Sequence, residues 1–327
     1  MRNRVGLGTF PLASVFSKVT KSEAEKIVKT FLSHDGYFID TAPLYGFGKV
    51  ERLLGEVLKK IPRKNYSLMS KCGYVDVKGK TFRTVKKSCR YDDIINECEK
   101  SLKRLETDFI DIYFVHTPDP GILYDETMEA LVKLQKDGKI KKIGVSNVDL
   151  SELKGYNKAG KVKFVQNRFS LVNQSIDEPF KEYLLEHKVR LIPYCPIERS
   201  QLSDRVLKPI RLRPKDLRVG RSDWKPRPLK TITSWVNDVL SPVAQDLGVS
   251  VEQLVIAWEL AQKYVGFVIV GATSPEQVLV NLKANQVKLT PGVLEKIDYA
   301  YQWLEEKISE KYEKSVADFR GLNEKFY

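Results

Sequence analysis

Three histidines in 327 residues, no two of them four apart, leave this chain little with which to hold a metal ion. Its four cysteines, Cys72, Cys89, Cys98 and Cys195, show no CxxC spacing, so reduced thiols are expected. No apolar run approaches the length of a membrane span. Met1-Arg2-Asn3-Arg4 is not followed by an apolar signal stretch, which predicts a soluble, cytoplasmic protein without a membrane partner. A glycine-rich phosphate turn is missing as well. In Gly6-Leu7-Gly8-Thr9-Phe10-Pro11 a proline stands where the third glycine of G-x-G-x-x-G belongs, and no helix starts there, which argues against a doubly wound open sheet.

What is present suits one large domain. The length is normal for a single (β/α)8 barrel, and a hydrophobic content of 42% is ample for its core. A formal net charge of +13 raises the question of nucleic acid, but the excess is uneven: between Glu198 and Lys230, 11 Lys/Arg face 4 Asp/Glu. A phosphorylated small ligand explains one basic loop better than a nucleic-acid-binding face does, and a solvated basic surface explains it about as well. No nucleic-acid partner is expected.

Hydrophobic periodicity lays out a strand–helix alternation. After the short run 5–8, Thr20 and Glu23 have capping-box spacing, and Ala24, Ile27, Val28, Phe31 and Leu32 form one apolar helix face. The next strand ends at Asp40, and Val50, Leu53, Leu54, Val57 and Leu58 recur at helical spacing. Strands are then expected at 66–70, 109–115, 143–146, 164–167, 189–194 and 267–270, with helices at 92–105, 125–137, 149–159, 177–187 and 275–285. Eight short strands, apolar on both faces and each followed by a helix, predict an α/β fold: a closed (β/α)8 TIM barrel as a single domain over 1–327. Two stretches fall outside the repeat. Residues 198–231 form a proline-bearing loop, a lid candidate that would cover a cofactor, followed by a helix pair at 232–247 and 250–264. Residues 291–327 form a C-terminal helix through about Lys311 and a tail.

Three of the apolar runs end abruptly in single functional groups. One ends in Asp40 with Tyr45 in the turn beyond, one in Lys71 and one in His116. Parallel strands of one barrel share a C-terminal rim, so these four groups would converge there. A phenol with a free pKa of about 10 is a poor acid near neutrality, and a neighbouring ammonium lowers that pKa. Asp40 would hold Lys71 charged and in place, His116 would hydrogen-bond a carbonyl oxygen, and Tyr45 would deliver its proton, or act as base in the alcohol-oxidising direction. No metal is required.

Here the chain resembles a known family, the aldo-keto reductases. Asp40-Thr41-Ala42-x-x-Tyr45-Gly46-x-Gly48-x-x-Glu51-x-x-Leu54-Gly55 is similar to its first signature, and Leu105-Glu106-Thr107-Asp108-x-Ile110-Asp111-x-Tyr113-x-x-His116 to its second. The likeness runs from about Val5 to Val287, in the branch of bacterial aldo/keto reductases and potassium-channel β subunits. It implies a carbonyl reductase or alcohol dehydrogenase with Tyr45, Asp40, Lys71 and His116 as its catalytic set. It further implies a nicotinamide site made by Ser146, Asn147 and Gln166, with Tyr194 stacked on the ring and Pro196 and Ile197 following. Two amides and a hydroxyl do match a carboxamide, although Ser146-Asn147 also reads as a helix N-cap and Tyr194 as a core residue. Gly271, Thr273, Gln277 and Asn281 match the branch's adenosine-phosphate segment at a helix start, while Val280 stands where an acid is common.

No Lys or Arg in that segment can meet a 2′-phosphate, so the basic loop, Arg221 first, is expected to supply the charge. NADPH (NADP+) is therefore preferred, with NADH possible. The chain also departs from the family at its start, where only four residues precede strand one in place of a floor-closing hairpin. Phe10, Phe47, Tyr74, Thr117 and Pro118 are candidate walls for a small carbonyl or alcohol substrate. A regulatory protein that binds NADP(H) with little turnover is the alternative, and Lys71 as a Schiff-base nucleophile a third reading.

Overall fold

The computed structural model describes residues 2–75 and 84–311, so the expected C-terminal tail beyond Lys311 lies outside the described residues. The alternation predicts the strands well: β1 Val5–Gly8, β2 Phe38–Asp40, β3 Ser67–Cys72, β4 Ile110–Val115, β5 Ile140–Ser146, β6 Val162–Gln166, β7 Arg190–Leu191 and β8 Val268–Gly271. They form one eight-stranded parallel sheet in the order β8-β1-β2-β3-β4-β5-β6-β7. The sheet closes on itself where Leu191 N donates to Tyr264 O at 2.9 Å, Gly266 N to Leu191 O at 2.8 Å and Ile269 N to Pro193 O at 2.9 Å. Strand seven, expected over six residues, is thus reduced to two, because the chain leaves the ladder to meet β8 through single bridges.

Helices follow the strands: α1 Lys21–Ser33, α2 Lys49–Leu58, α3 Tyr91–Leu105, α4 Tyr124–Lys136, α5 Leu150–Tyr156 and α6 Glu178–Glu186. The capping box of α1 forms as its spacing requires, Glu23 N donating to Thr20 Oγ1 and Thr20 N to Glu23 Oε2. Asp149, two residues past Asn147, caps α5, so Ser146 and Asn147 are not spent on that helix end. The basic loop is shorter than expected. Helix α7 Pro226–Trp235 begins inside it, with proline in its first turn where the lost N–H costs nothing, and it continues as a π-turn at Val236–Leu240 into α8 Ser241–Asp246. Then come α9 Val251–Ala261, α10 Pro275–Lys283 and α11 Pro291–Lys311.

Two apolar layers result. Side chains facing outward from the strands pack under the helices, and a smaller cluster of Met69, Ile112, Phe114, Ile192, Phe267 and Ile269 fills the barrel. At the N-terminal end of the strands Phe38 stacks on Phe267, with centroids 3.9 Å apart, and Phe164 meets Phe267 at 6.0 Å. These rings close the floor where the resemblance implied a hairpin. Of the three only Phe267 is fully buried, which is worth about 1.5–3 kcal/mol.

Candidate active site

The four strand-end groups meet at the opposite rim. Lys71 Nζ donates to Asp40 Oδ1 at 2.8 Å, Asp40 Oδ2 at 2.9 Å, the Thr41 carbonyl at 2.8 Å and the Tyr45 phenol oxygen at 3.1 Å. β2 and β3 lie side by side in the sheet with Asp40 opposite Met69, so the Lys71 side chain two residues on reaches it from the same face. Tyr45 arrives from the turn after β2, held by Tyr45 N donating to Ala42 O at 3.0 Å. His116 follows β4, its N donating to Cys72 O at 2.9 Å, and its ring stands edge-on to Tyr45 at 6.1 Å. All four are buried. Burial holds the Lys71 ammonium below its usual pKa, opposed by Asp40. Burial, with Lys71's charge added, holds His116 well below its ordinary value, so its imidazole is neutral and offers one N–H.

These groups open into a cavity of about 490 Å³. At its inner end Gln166 Nε2 donates to Asp40 Oδ1 at 2.9 Å, which leaves its carbonyl oxygen and its second N–H to offer a ligand. Asn147 Nδ2 donates to the His116 carbonyl at 2.7 Å, and Tyr194 OH donates to Asn147 Oδ1 at 2.6 Å. Ser146, Pro196 and Ile197 line the same space. At the outer end Gly271, Thr273, Gln277, Val280 and Asn281 line it, with Gln277 folded back so that Thr273 N donates to its Oε1 at 2.8 Å. The loops after β1 and β7 both line the space and are tied together by Leu217 N donating to Val15 O at 2.8 Å.

The expected Arg221 stands apart. It does not line the cavity, and its Nε donates to Asp223 Oδ1 at 3.0 Å. Arg205, Arg211 and Arg213, exposed in the same loop, line the cavity instead. Reading the sequence could not separate them, because acids stand close to several of these arginines, Asp223 to Arg221, Asp204 to Arg205 and Asp216 to Arg213. Of the expected walls Phe10 lines the cavity and is joined by Phe16, while Tyr74 packs edge-on to His116 at 5.4 Å and donates to Thr117 Oγ1 at 3.4 Å. Phe47, Thr117 and Pro118 are not among the lining residues. Burial pushes the Cys72 thiol well up and Cys89 and Cys98 to about 12, which suits small core residues rather than reactive thiols.

The root of the basic loop is unusual. Cys195, Glu198, Arg199 and Ser200 all have positive φ, between 43° and 80°, a conformation costing a residue with a side chain about 1–2 kcal/mol. Buried polar contacts hold it there. Glu198 accepts from Arg168 and, at 2.6 Å, from Ser170, while Asp223 accepts from Arg199 at 3.2 Å and from Arg221.

Comparison with known proteins agrees with this geometry. A model described as the Aldo/keto reductase family matches residues 4–302. Aldo-keto reductase YhdN of Bacillus subtilis is 28% identical over 278 residues, covering 84% of this chain and 83% of that protein. A putative voltage-gated potassium channel subunit beta of Schizosaccharomyces pombe is 28% identical over 280 residues, covering 79% and 78%. Among solved structures, the glycerol dehydrogenase of Gluconobacter oxydans superposes with a TM-score of 0.80 at 25% identity, covering 96% and 93%. The family match over most of the chain, on a closed barrel with Asp, Tyr, Lys and His joined at its rim, is decisive: the chain belongs to the aldo/keto reductase family and is an NAD(P)H-dependent oxidoreductase.

Proposed function

We propose that this protein reduces an aldehyde, ketone or sugar carbonyl with NADPH, Tyr45 acting as the general acid. The observation that carries the reading is the contact between Lys71 Nζ and the Tyr45 oxygen at 3.1 Å, with Asp40 behind the lysine and the cavity in front. The phenol accepts from Lys71, so its own O–H is the donor, and the adjacent cation stabilises the phenolate left after transfer. Neutral His116 donates to the same carbonyl oxygen and orients it. NADPH held along Ser146, Asn147, Gln166 and Tyr194 would supply the hydride that the carbonyl carbon takes up. Proton transfer from Tyr45 to the oxygen completes the alcohol.

The lining residues suit a dinucleotide by their chemistry. Ser146, Asn147 and Gln166 match a carboxamide and Tyr194 a ring face at one end, and the start of α10 suits a phosphate at the other. Arg205, Arg211 and Arg213 replace Arg221 as the groups expected to meet a 2′-phosphate. NADPH oxidation with a nitrobenzaldehyde is the test: Tyr45→Phe should abolish it, and full turnover in that variant would sink the reading.

A second reading has one observation in its favour. The Val15–Leu217 tie joins two loops that both line the cavity, which suits a protein that retains its nucleotide and regulates a partner. Stopped-flow fluorescence separates the two: slow exchange with negligible multiple turnover favours retention, and rapid exchange with steady turnover favours the enzyme.

A further inference from the structure

Lys71 faces the barrel interior, and the residue before it faces the helices, since side chains alternate along a strand. That residue, Ser70, donates its hydroxyl to Glu51 Oε1 at 2.7 Å. Glu51 lies on α2 and is wholly buried. Its other oxygen accepts from Arg104 Nε of α3 at 2.6 Å, and Arg104 Nη2 donates to Ser101 Oγ at 3.0 Å. Close approach of the two helices makes the pair possible: a Cβ on Gly55 would lie 2.6 Å from the Arg104 carbonyl. Glu51 and Gly55 both belong to the first signature, and neither touches the cavity. A buried carboxylate is costly even when paired, and an apolar residue would seal α2 against β3 at least as well, so packing alone does not account for Glu51.

We propose that Glu51 and Arg104 are positioning residues that set the electrostatic field at Lys71 from behind β3, and thereby how readily Tyr45 gives up its proton. The inference rests on Tyr45 being the acid, as proposed above. Lys71 faces Asp40 and the Thr41 carbonyl from β2 and its turn, Tyr45 from the same turn and His116 from beyond β4. Glu51 faces Ser70 from β3 and Arg104 and Ser101 from α3, with Tyr113 of β4 and Glu97 and Cys98 of α3 in the same layer. Burial keeps Tyr113 and Cys98 protonated, and Glu97 pairs with Lys100 at 2.8 Å. The charges that remain alternate: Asp40 negative, Lys71 positive, Glu51 negative, Arg104 positive. Deleting either outer member leaves its neighbour uncompensated, and the two deletions act with opposite sign. Without Glu51 the corner is more positive, and the Lys71–Tyr45 pair loses a proton more easily. Without Arg104 it is more negative, and the proton is held longer.

The test is the pH dependence of kcat/KM for NADPH-driven aldehyde reduction, with thermal melting recorded alongside. Glu51→Gln, which keeps shape and hydrogen-bonding atoms, should move the alkaline limb down by about half a pH unit or more, and Arg104→Met should move it up by a similar amount. Arg104→Gln serves if the methionine variant does not fold. Ser70→Ala removes a hydrogen bond but no charge, and its limb should stay within about a quarter of a unit of wild type. Limbs of Glu51→Gln and Arg104→Met that both overlay wild type while melting temperatures fall make the pair structural only and overturn the proposal. Movement of both limbs in one direction also overturns it. Tyr45→Phe is run in parallel: retained turnover there removes the acid assignment and the inference together, whereas overlaid limbs with an inactive Tyr45→Phe remove the inference alone.

Discussion

Two buried ion clusters flank the cavity, and they use charge in different ways. At the rim, one cation, Lys71, answers one carboxylate, Asp40, and still has a bond to spare for Tyr45. Below the basic loop, Glu198 and Asp223 take up Arg168, Arg199 and Arg221. The first cluster directs its charge at a ligand space; the second spends its charge on holding a strained backbone. A cation count taken from sequence therefore overstates what the loop can offer a phosphate. Local pairing decides which arginines are available.

That contrast can be broken from either side. The largest effect is expected at the rim: Lys71→Met should lower kcat/KM by about 10²–10⁴-fold with little change in cofactor binding, measured by steady-state kinetics and fluorescence titration. Next is Asp223→Ala. It removes the buried carboxylate that Arg199 and Arg221 share, should cost about 3–5 kcal/mol of stability in denaturant unfolding, and should weaken cofactor binding more than it lowers kcat. If it instead lowers kcat as Lys71→Met does, the division between the clusters is wrong. Smaller is the double change Arg211→Ala with Arg213→Ala: KM for NADPH should rise about tenfold and KM for NADH should not, while Arg221→Ala should show up in stability rather than in that ratio.

The smallest expected effect concerns pH. His116 is held well below its ordinary 6.5 by burial first and Lys71 second, so it stays neutral in the folded protein. Its folded pKa is depressed, so as pH falls through about 6.5 the unfolded chain takes up a proton that the folded chain refuses. Stability is therefore lost toward acid, and kcat/KM should pass through 6.5 without a limb. A limb there, abolished in His116→Gln, would show that the imidazole does titrate.

The candidate catalytic corner was legible in the sequence because Asp40, Lys71 and His116 each end a short apolar run, with Tyr45 in the turn past the first, and parallel neighbours in a closed sheet bring such ends together. The inner lining of the cavity was legible for the same reason wherever its residues terminate a strand, as Ser146 and Gln166 do. The segment between β7 and α7 was not. It has no periodicity, its prolines serve as a helix start as well as loop breakers, and its fixed points are contacts to Arg168 and Val15, distant in sequence. The floor was hidden too, since the stacking of Phe38 on Phe267 depends on which strands close the ring.

That floor has a kinetic consequence. With Phe38, Phe164 and Phe267 at the lower end and the interior filled above them, Tyr45 opens to the rim cavity, which both reactants of the proposed reaction would share. Under the proposed function the reactant that lies deeper is expected to come in first and go out last, so that product-inhibition patterns should read as a queue.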